Sequence, residues 1–510
     1  MGLFQRVAAA FKSPPTNSVA SRTYAGAMYG RLVSDWIASS TSMDSEVKAS
    51  LRALRDRSRQ LGRDNDYVKG FYLTVQDNVV GEGITFQAQC LMQRGGKLNS
   101  ALNSEIELKW RRWAQKENCD VAGKLSFQDI ERLLIRGVAE SGEVFVRLHK
   151  QPFGKSRIPL GLQILEADQL DDDRNGRAEN GNEIRMGVEI NNFGRPVAYH
   201  FIDGSHPGDF QFANAGNTRR TVRIPASEII HLGVFERPNQ TRCVPWLAQA
   251  IKRLHQVGGY EEAEVVAARA SAALMGFIEN PDGELTGDGV QNGERVVDFD
   301  PGTIKRLGPG ERMNVPDLHR PGGQLDPFMR VMLRGVATGV GVSYATLSRD
   351  YSQSNFSSSR MDLLSERDHW RVIQAWFIRN FHQAVFAAWL EMSYLSGELE
   401  LPQYATAPEQ YEEVKWNRRG WAWIDPLKDV EASKEAIKAG ITTTTAVCNE
   451  RGHDVEDVFA ERRRELDLAK EHKLTFDTDP DAYKPKDNVI QGNFGGKKPP
   501  KDEAETDTEK

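Results

Sequence analysis

The sequence contains few cysteines and has no surplus of basic charge. Its four cysteines among 510 residues are Cys90, Cys119, Cys243 and Cys448. None forms a C-x-x-C pair that would suggest zinc binding or thiol exchange, so a reduced intracellular compartment is the simplest interpretation. Lys and Arg total 66 against 72 for Asp and Glu, a net charge of −6. This balance argues against a basic nucleic-acid clamp, because tight phosphate binding needs excess positive charge.

Long apolar runs are also missing from the sequence. The N-terminal run covers only 7–11, and the longest runs, such as 384–390, fall far short of the ~18 residues that a membrane span requires. Arg6 occupies the position where a myristoylation signal needs Ser or Thr. We therefore expect a soluble protein with no export signal and no membrane partner.

The composition is that of a large globular protein. Hydrophobic residues make up 39% and charged residues 27% of the chain, which is ordinary usage for folded proteins. At roughly 150 residues per domain, this length predicts about three or four domains.

The first half of the chain changes from a helical to a mixed pattern. Apolar spacing predicts a helix over 44–65 with Asp44 as its N-cap, and its arginines are expected to be solvated or ion-paired rather than bound to phosphate. From 125 to about 236, short β-rich runs between Gly, Asn, Asp and Pro predict a mixed α/β segment. Within it, the loop at 191–194 predicts a hairpin between the strands that flank it.

Alanine-rich helical sequence follows over 244–278. The pair Gly258-Gly259 is expected to break or kink this helix, so that two consecutive helices are as plausible as one. Repeated Pro-Gly and Asp-Gly steps predict a small β-containing insertion over 279–326. A second helix is expected at about 327–338.

The C-terminal third begins with a polar, Ser- and Gly-rich segment at 339–360. A helix of about forty residues then runs to about Ser396, and its apolar stripe must be buried. The stripe consists of Trp370, Ile373, Phe377, Phe381, Val385 and Trp389. Further helix is predicted at 426–473, with turns at Ser433, 442–445 and Gly452. Residues 476–510 lack the apolar side chains needed to offset the entropy of ordering, so a disordered tail is predicted there.

No catalytic or cofactor-binding motif is complete. The sequence Gly154-Lys155-Ser156 resembles the end of a phosphate loop, but His149 stands where the leading Gly should be. Ser343 lies in a near match to the G-x-S-x-G elbow that ends in Ala and follows a predicted helix, whereas the elbow follows a strand. We expect no enzymatic activity and no cofactor.

One acidic turn resembles half of a calcium-binding loop. Asp171, Asp173 and Asn175 occupy the first, third and fifth positions of an EF-hand pattern, but position twelve is Asn182 instead of the bidentate Glu. A solvated turn is therefore favoured over a weak cation site. The three histidines in or beside the predicted strands are expected to be ordinary hydrogen-bonded residues: His200, His206 and His231.

Several blocks in a fixed order resemble the lambda-type portal protein family of tailed bacteriophages. The strongest is 339-GVGVSYATLSRDYSQSNFSSSRM-361, preceded by 306-RLGPGERMNV-315. Supporting blocks are 52-RALRDRSRQLGRDN-65, 79-VVGEGITFQAQ-89, 110-WRRWAQKENCDVAGKLSF-127, 141-SGEVFVRL-148, 187-GVEINNFGRPVAYHF-201 and 229-IIHLGVFERPNQTRCVPWL-247. The resemblance extends from about residue 24 to 473.

The resemblance implies a multidomain α+β portal fold that forms closed rings, usually of twelve subunits. Such a fold has a mixed α/β wing, a long helical stem, a small β-containing clip and a helical crown. The implied divisions are an N-terminal arm at 1–24, a wing at 25–243 completed by 359–425, a first stem helix at 247–278, a clip at 279–326, a second stem helix at 327–338, a tunnel loop at 340–358, a crown at 426–475 and a disordered tail at 476–510.

The same resemblance implies a function and a set of partners. A ring at one capsid vertex of the virion, assembled in the host cytoplasm, would let double-stranded DNA enter during packaging and leave during ejection. It would nucleate procapsid assembly. The implied partners are further copies of the chain, the terminase large subunit, head-completion (adaptor) proteins, the major capsid and scaffolding proteins, and double-stranded DNA held transiently without sequence preference.

The tunnel loop supplies the implied DNA-facing residues. They are Ser343, Arg349, Tyr351, Ser352 and Asn355. A polar loop in an acidic chain suits a channel through which DNA must slide, because it avoids a grip based on counterion release. Arg349 either contacts the phosphate backbone or pairs with Asp350 or a neighbouring subunit. Two rival hypotheses are a packaging nuclease or ATPase, and a capsid shell or scaffolding protein.

Overall fold

The computed structural model describes most of the chain between residues 40 and 474. The described residues are 31, 40–91, 98–203, 220–273, 277–279, 290–291, 294–295, 312–314, 325–353, 355–421, 425–472 and 474. The predictions for the arm at 1–24, for the tail at 476–510, for His206 and for most of 279–326 lie outside them.

Among the described residues that precede residue 143, four α-helices are present. They are α1 (Met43–Asp64), α2 (Asp66–Val79), α3 (Ser100–Trp113) and α4 (Phe127–Ser141). The predicted N-cap of α1 was wrong, because Ser42 occupies that position and its side chain accepts a hydrogen bond from the Ser45 amide at 3.3 Å. Asp44 lies in the first turn and instead accepts hydrogen bonds from the Thr241 amide and hydroxyl, both at 2.7 Å.

Short strands alternate with turns between residues 143 and 233, as the β-rich runs predicted. The strands are β2 (Glu143–His149), β3 (Gly161–Glu166), β4 (Gly176–Arg177), β5 (Glu183–Arg185), β6 (Val188–Ile190), β7 (Pro196–Ile202), β8 (Thr221–Pro225) and β9 (Ile229–Gly233), and β1 (Thr85–Ala88) precedes them. One antiparallel sheet has the order β3-β2-β9 and a second runs in sequence order from β4 to β8. The predicted hairpin is the β6–β7 pair.

An apolar cluster connects these two sheets. Phe145 of β2 packs against Tyr199 and Phe201 of β7, with ring centroids 5.7 and 5.4 Å apart. All three side chains are buried. Successive side chains of β2 point to opposite faces of its sheet, and the face that contains Phe145 packs against the second sheet.

One continuous helix, α5 (Ile251–Ala273), passes through Gly258-Gly259. The pair therefore does not break the helix, and a single helix is present where the sequence left one or two helices equally plausible. Leu254 and Val257 are buried just before the glycines, and such tertiary packing outweighs the low helix propensity of Gly. Helix α6 (Leu325–Val340) packs against α5. The described part of 277–314 contains the paired strands β10 (Phe277–Glu279) and β13 (Arg312–Asn314) and the hairpin of β11 (Val290–Gln291) with β12 (Glu294–Arg295).

The predicted long C-terminal helix is present. After the short α7 (Tyr344–Ser348), it consists of α8 (Phe356–Phe377), a π-helical segment (Ile378–His382) and α9 (Gln383–Leu395). Its apolar stripe is buried as predicted: Trp370, Phe377, Phe381, Val385 and Trp389 are at most 1% exposed, and Ile373 is half-buried.

The last described elements are a strand that pairs with β1 and three helices that follow it. After α10 (Glu409–Glu412), β14 (Val414–Asn417) pairs antiparallel with β1. Three helices follow, α11 (Pro426–Lys438), α12 (Thr444–Glu450) and α13 (Val455–Glu471), in agreement with the helical prediction. The predicted turn at Ser433 was wrong, because this residue lies inside α11, where its hydroxyl donates to the Asp429 carbonyl at 2.7 Å.

The main core is rich in aromatic rings from distant parts of the sequence. Trp110 of α3 packs against Phe127 of α4 and against Phe386 and Trp389 of α9, with centroids 5.1 to 5.7 Å apart. Across the described residues, no helix combines the length and the apolar character that crossing a membrane demands.

Candidate functional site

The segment between α6 and α8 contains all five predicted DNA-facing residues. Gly341 ends α6 with a positive φ of 74°, and a Cβ at this position would lie 3.1 Å from the His369 ring nitrogen. Both the backbone conformation and the close approach of α8 therefore favour glycine at this position. The chain then turns into the short helix α7, which the sequence had predicted only as part of a polar loop.

Ser343 has a structural role at the start of α7. Its side chain accepts a hydrogen bond from the Thr346 amide at 3.1 Å and donates to the Thr346 hydroxyl at 2.9 Å. The buried carboxylate of Glu366 in α8 accepts hydrogen bonds from that hydroxyl at 2.7 Å and from the Ser343 amide at 3.4 Å. Ser343 is therefore half-buried and holds α7 against α8 instead of projecting from the segment.

Arg349 follows α7 in a left-handed conformation with φ of 58° and is exposed. Its neighbour Asp350 accepts hydrogen bonds from the Tyr344 hydroxyl at 3.1 Å and from the Ser352 amide at 2.9 Å. The Arg330 guanidinium lies 3.8 Å from the same carboxylate. These contacts hold the pKa of Asp350 below its usual value, with the Ser352 contact contributing most.

The remaining predicted residues of the segment are either exposed or cap a helix. Tyr351 is 59% exposed and Ser352 is exposed, so both side chains are available for contact with a partner. Asn355 is the N-cap of α8, and its side chain accepts a hydrogen bond from the Ser358 amide at 2.8 Å. Of the five predicted residues, Arg349, Tyr351 and Ser352 are thus available for contact, whereas Ser343 and Asn355 cap helices.

The side chains of the acidic turn at 171–176 bind other residues of the same chain. Asp171 accepts a hydrogen bond from the Thr221 hydroxyl at 3.0 Å, and Asp172 pairs with Arg52 at the same distance. The Asn175 side-chain oxygen accepts a hydrogen bond from the Met186 amide at 2.9 Å. Four arginines of α1 are ion-paired, in line with the expectation that these arginines are solvated or ion-paired: Arg52, Arg55, Arg59 and Arg63.

A buried charged cluster at the start of β2 was not found from the sequence. The Glu143 carboxylate accepts hydrogen bonds from the Arg242 Nε at 2.5 Å, from His231 at 2.9 Å and from the Cys243 amide at 3.0 Å, and it pairs with Arg55. Burial opposes ionisation, but Arg242 and Arg55 outweigh it and hold the pKa of Glu143 well below its usual value. The cluster is structural, because it joins α1, β2 and β9. His231, a member of it, is a hydrogen-bonded residue as predicted.

The family of the chain follows from a sequence comparison. A family model described as "Phage portal protein, lambda family" matches residues 29–374, which is more than half of the chain. The chain belongs to the lambda family of phage portal proteins. Members of this family are structural components of the phage particle, and the resemblance found in the ordered sequence blocks is therefore confirmed.

Individual portal proteins match over nearly the whole length. A probable portal protein of Halomonas phage phiHAP-1 is 32% identical over 479 residues, covering 90% of this chain and 91% of the relative. Portal protein B of Escherichia phage lambda is 25% identical over 506 residues, covering 88% and 91%. The portal protein of Escherichia phage N15 is 24% identical over 506 residues, covering 88% and 92%.

Solved structures with a similar chain come from gene transfer agent particles. The neck of a native gene transfer agent particle, described with C12 symmetry, contains a chain that is 12% identical with a TM-score of 0.39, covering 79% of this chain and 98% of that one. A chain from the empty particle, described with C6 symmetry, has a TM-score of 0.38 and 13% identity, covering 77% and 92%.

Proposed function

We propose that this portal-family chain assembles into a ring at one capsid vertex and serves as the conduit through which double-stranded DNA is packaged and ejected. The observation that carries the proposal is the family match together with the segment between α6 and α8. That segment presents polar residues on a scaffold fixed by Glu366. A conduit needs such weak, sequence-independent contacts, because a strong counterion-releasing grip would stop DNA from sliding.

The DNA-facing surface of this segment is narrower than the sequence suggested. We assign it to Arg349, Tyr351 and Ser352, which are exposed next to one another. The carboxylate of Asp350 is engaged by Tyr344, Ser352 and Arg330, which favours a phosphate or a neighbouring subunit over Asp350 as the partner of Arg349. Ser343 and Asn355 contribute by capping the helices on either side.

The division into subdomains extends the proposal to the whole chain. We assign the sheets and the aromatic core to a wing, α5 and α6 to the stem, the strands between them to a clip, and α11 to α13 to a crown. The pairing of β1 with β14 supports placing 359–425 with the wing. The clip would face the terminase and later the head-completion proteins, and the assembled ring would nucleate the procapsid with capsid and scaffolding proteins.

Native mass spectrometry of the purified full-length chain, paired with negative-stain images, tests this function. Twelve copies of 57.2 kDa total about 686 kDa. We expect a species near this mass, or a neighbouring multiple of the subunit mass, that appears as a ring with a central hole. Shell-like lattices without discrete channelled rings, or ATP hydrolysis by the chain alone, would contradict the proposal.

Point variants test the role of the segment more sharply than a deletion would. Removing 343–356 would also remove the buried Leu347 and both helix caps. We instead expect Arg349→Asn together with Tyr351→Ser to keep ring assembly and to reduce DNA packaging or retention severalfold, because Asn tolerates the left-handed conformation. The exposed Arg379→Gln serves as a control and should leave packaging unchanged. Unchanged packaging in the double variant would refute the assignment of this surface.

A further inference from the structure

A cleft of about 630 Å³ lies between the aromatic core and the start of α13. Part of its wall is apolar and includes Ile84, Phe86 and Trp110, the last two with ring centroids 5.4 Å apart. Another part comes from the first turns of α13 and the residues just before them. A cleft of this volume is large enough to hold a small organic molecule.

Three carboxylates of α13 line the cleft. Asp454, Asp457 and Glu461 are separated by three and four residues, so they follow one side of the helix over about 10 Å. Asp454 caps α13 by accepting a hydrogen bond from the Glu456 amide at 2.8 Å. Within the described residues, none of the three carboxylates forms an ion pair.

Glu107 of α3 adds a fourth carboxylate to the same cleft. It accepts a hydrogen bond from the Ala88 amide at 3.0 Å and lies 3.6 Å from Arg111. Burial nevertheless raises the pKa of Glu107, and the charges of Asp454 and Asp457 raise it further. The acids of α13 are therefore close enough to Glu107 to repel it.

Negative groups outnumber positive groups around the cleft. Its cationic side chains are Arg111 and Lys116, both exposed, against the four carboxylates of α3 and α13. With His453 counted as neutral, the formal charge of the lining is 2 − 4 = −2. The cleft therefore favours a ligand with positive charge.

Asn417 gives independent evidence for a ligand. This residue, at the end of β14, lines the cleft and is 3% exposed. Its side-chain oxygen is buried and accepts no hydrogen bond from the part of the chain that the structure describes. Buried polar atoms in native proteins almost always have a hydrogen-bond partner. A hydrogen-bond donor from outside these residues is therefore expected at this position.

The spread of the carboxylates distinguishes between kinds of cation. Two groups of potential ligands converge to within 4.8 Å in the described residues, at Glu143 with His231 and Cys243 and at 171–173, and the cleft provides neither. Its acids are too far apart to share one metal ion and instead suit separated positive charges. The rings of Phe86 and Trp110 also favour an organic cation, which gains from contact with aromatic faces.

We propose that this cleft binds a linear aliphatic diamine. Its two ammonium groups would meet Glu107 and the acidic side of α13, and its methylene chain would lie against Phe86 and Trp110. An ammonium group also supplies the donor that the Asn417 oxygen lacks. The bound diamine would hold α13 against the core by relieving the repulsion between their carboxylates. The inference goes beyond the proposed function, because it requires neither a ring nor DNA.

Isothermal titration calorimetry of the full-length protein with putrescine as the probe, at low and constant ionic strength, tests the site. We expect saturable binding with one site per chain. Butylamine has the same carbon chain but a single ammonium group, so it should bind at least about tenfold more weakly. Magnesium chloride at equal ionic strength should not displace putrescine, because the carboxylates do not converge on one ion.

Variants of the lining test the assigned contacts. Asp454→Asn together with Asp457→Asn should weaken putrescine binding at least about tenfold, since both charge-assisted contacts are lost. The fold should survive, because Asn is as good an N-cap as Asp, and the melting temperature checks this. Asn417→Ala should weaken binding about fivefold, as for one lost hydrogen bond.

A matched control lies on the same helix. Asp467 is exposed on α13 outside the cleft, so Asp467→Asn removes the same charge and should leave putrescine affinity unchanged. Equal weakening by Asp467→Asn and by the double variant would overturn the inference, because attraction to an acidic surface would then explain the binding. Equal affinity for butylamine and putrescine, or no saturable binding to wild type, would also overturn it. Failure to form rings would refute the proposed function alone, since native mass measures rings separately from diamine binding.

Discussion

At the scale of single residues, the fold depends on charged side chains buried with their partners. Glu143 and Arg242 are at most 1% exposed, and the Arg242 guanidinium donates further hydrogen bonds to the carbonyls of Met186 at 2.7 Å and Ala167 at 3.0 Å. Removing one member of such a network leaves the others buried without compensation, which costs more than the net contribution of the intact network.

Glu143→Gln should therefore be strongly destabilising. We expect it to lower the free energy of unfolding by about 3–5 kcal/mol, because Arg242 would remain buried without a countercharge and Arg55 would keep only Asp168, whose carboxylate lies 3.5 Å away. Urea unfolding followed by tryptophan fluorescence measures this change. Glu46→Gln, at a half-exposed surface pair with Arg237, is the control and should change stability by less than about 1 kcal/mol. Equal effects of the two substitutions would contradict the structural role of the cluster.

A second buried carboxylate makes stability depend on pH. Glu189 accepts hydrogen bonds from Arg223 at 2.7 Å, from Asn180 at 2.7 Å and from Asn182 at 2.8 Å, and these contacts, led by Arg223, lower its pKa to about 2. A lowered pKa in the folded state stabilises the protein above the ordinary glutamate pKa of about 4.3. This contribution is lost as the pH falls from there towards 2.

Comparing wild type with Glu189→Gln across this pH range tests the contribution. We expect the variant to be less stable by about 2 kcal/mol at pH 7, with the difference shrinking between about pH 4.3 and 2. The exposed Glu179→Gln serves as the control and should show no such trend. Thermal melting at fixed salt measures the stability of each protein. A stability difference between wild type and Glu189→Gln that stays constant with pH would contradict the assigned role of Glu189.

At the scale of elements, the structure shows where glycine is required and where it is tolerated. A Cβ at Gly258 or Gly259 in α5 would meet no atom within 4 Å. At Gly142, between α4 and β2, φ is 87° and a Cβ would collide with the Val244 backbone. The same residue type is therefore replaceable in one place and fixed by geometry in the other.

Alanine substitutions separate the two cases. Gly258→Ala and Gly259→Ala should each stabilise the subunit by about 1 kcal/mol, because alanine has the higher helix propensity. Gly142→Ala should destabilise it by more than about 1–2 kcal/mol, since it combines a left-handed backbone with a backbone clash. Melting temperatures of the three variants provide the test. A lower melting temperature for both α5 variants would show that these glycines pack against something beyond the subunit described above.

At the scale of the whole molecule, the core extends past the region that defines the family. The family model ends at residue 374, but Phe377, Phe381, Phe386 and Trp389 are buried in the same core. In addition, β14 supplies the only partner strand of β1 within the described residues. The span that the family model matches is therefore shorter at its C-terminal end than the folding unit.

A fragment covering residues 29–374 should fail to fold, in contrast to one covering 40–472. Without the four aromatic side chains it would leave a cavity and an exposed apolar surface in the core, and each lost ring is worth about 3–5 kcal/mol. Near-ultraviolet circular dichroism and the cooperativity of urea unfolding compare the two fragments. Cooperative unfolding of the shorter one would show that residues beyond 374 form a separate unit.

The sequence by itself determined the family, through ordered blocks that resemble those of known members. It also determined the order of helical and β-rich segments and the buried stripe of the long C-terminal helix, because hydrophobic periodicity and local turn chemistry are recorded residue by residue. It also placed the polar segment between α6 and α8. Only the tertiary structure decided which residues of that segment are exposed, since Ser343 and Asn355 become caps once Glu366 and α8 are in position. The tertiary structure also decided that the helix continues through Gly258-Gly259. It brought Glu143 into contact with Arg55 and Arg242. It placed Arg367, Arg371 and Arg419 around Trp421. These contacts join residues that are far apart in the chain, and their energies depend on burial and on partners that no local pattern records.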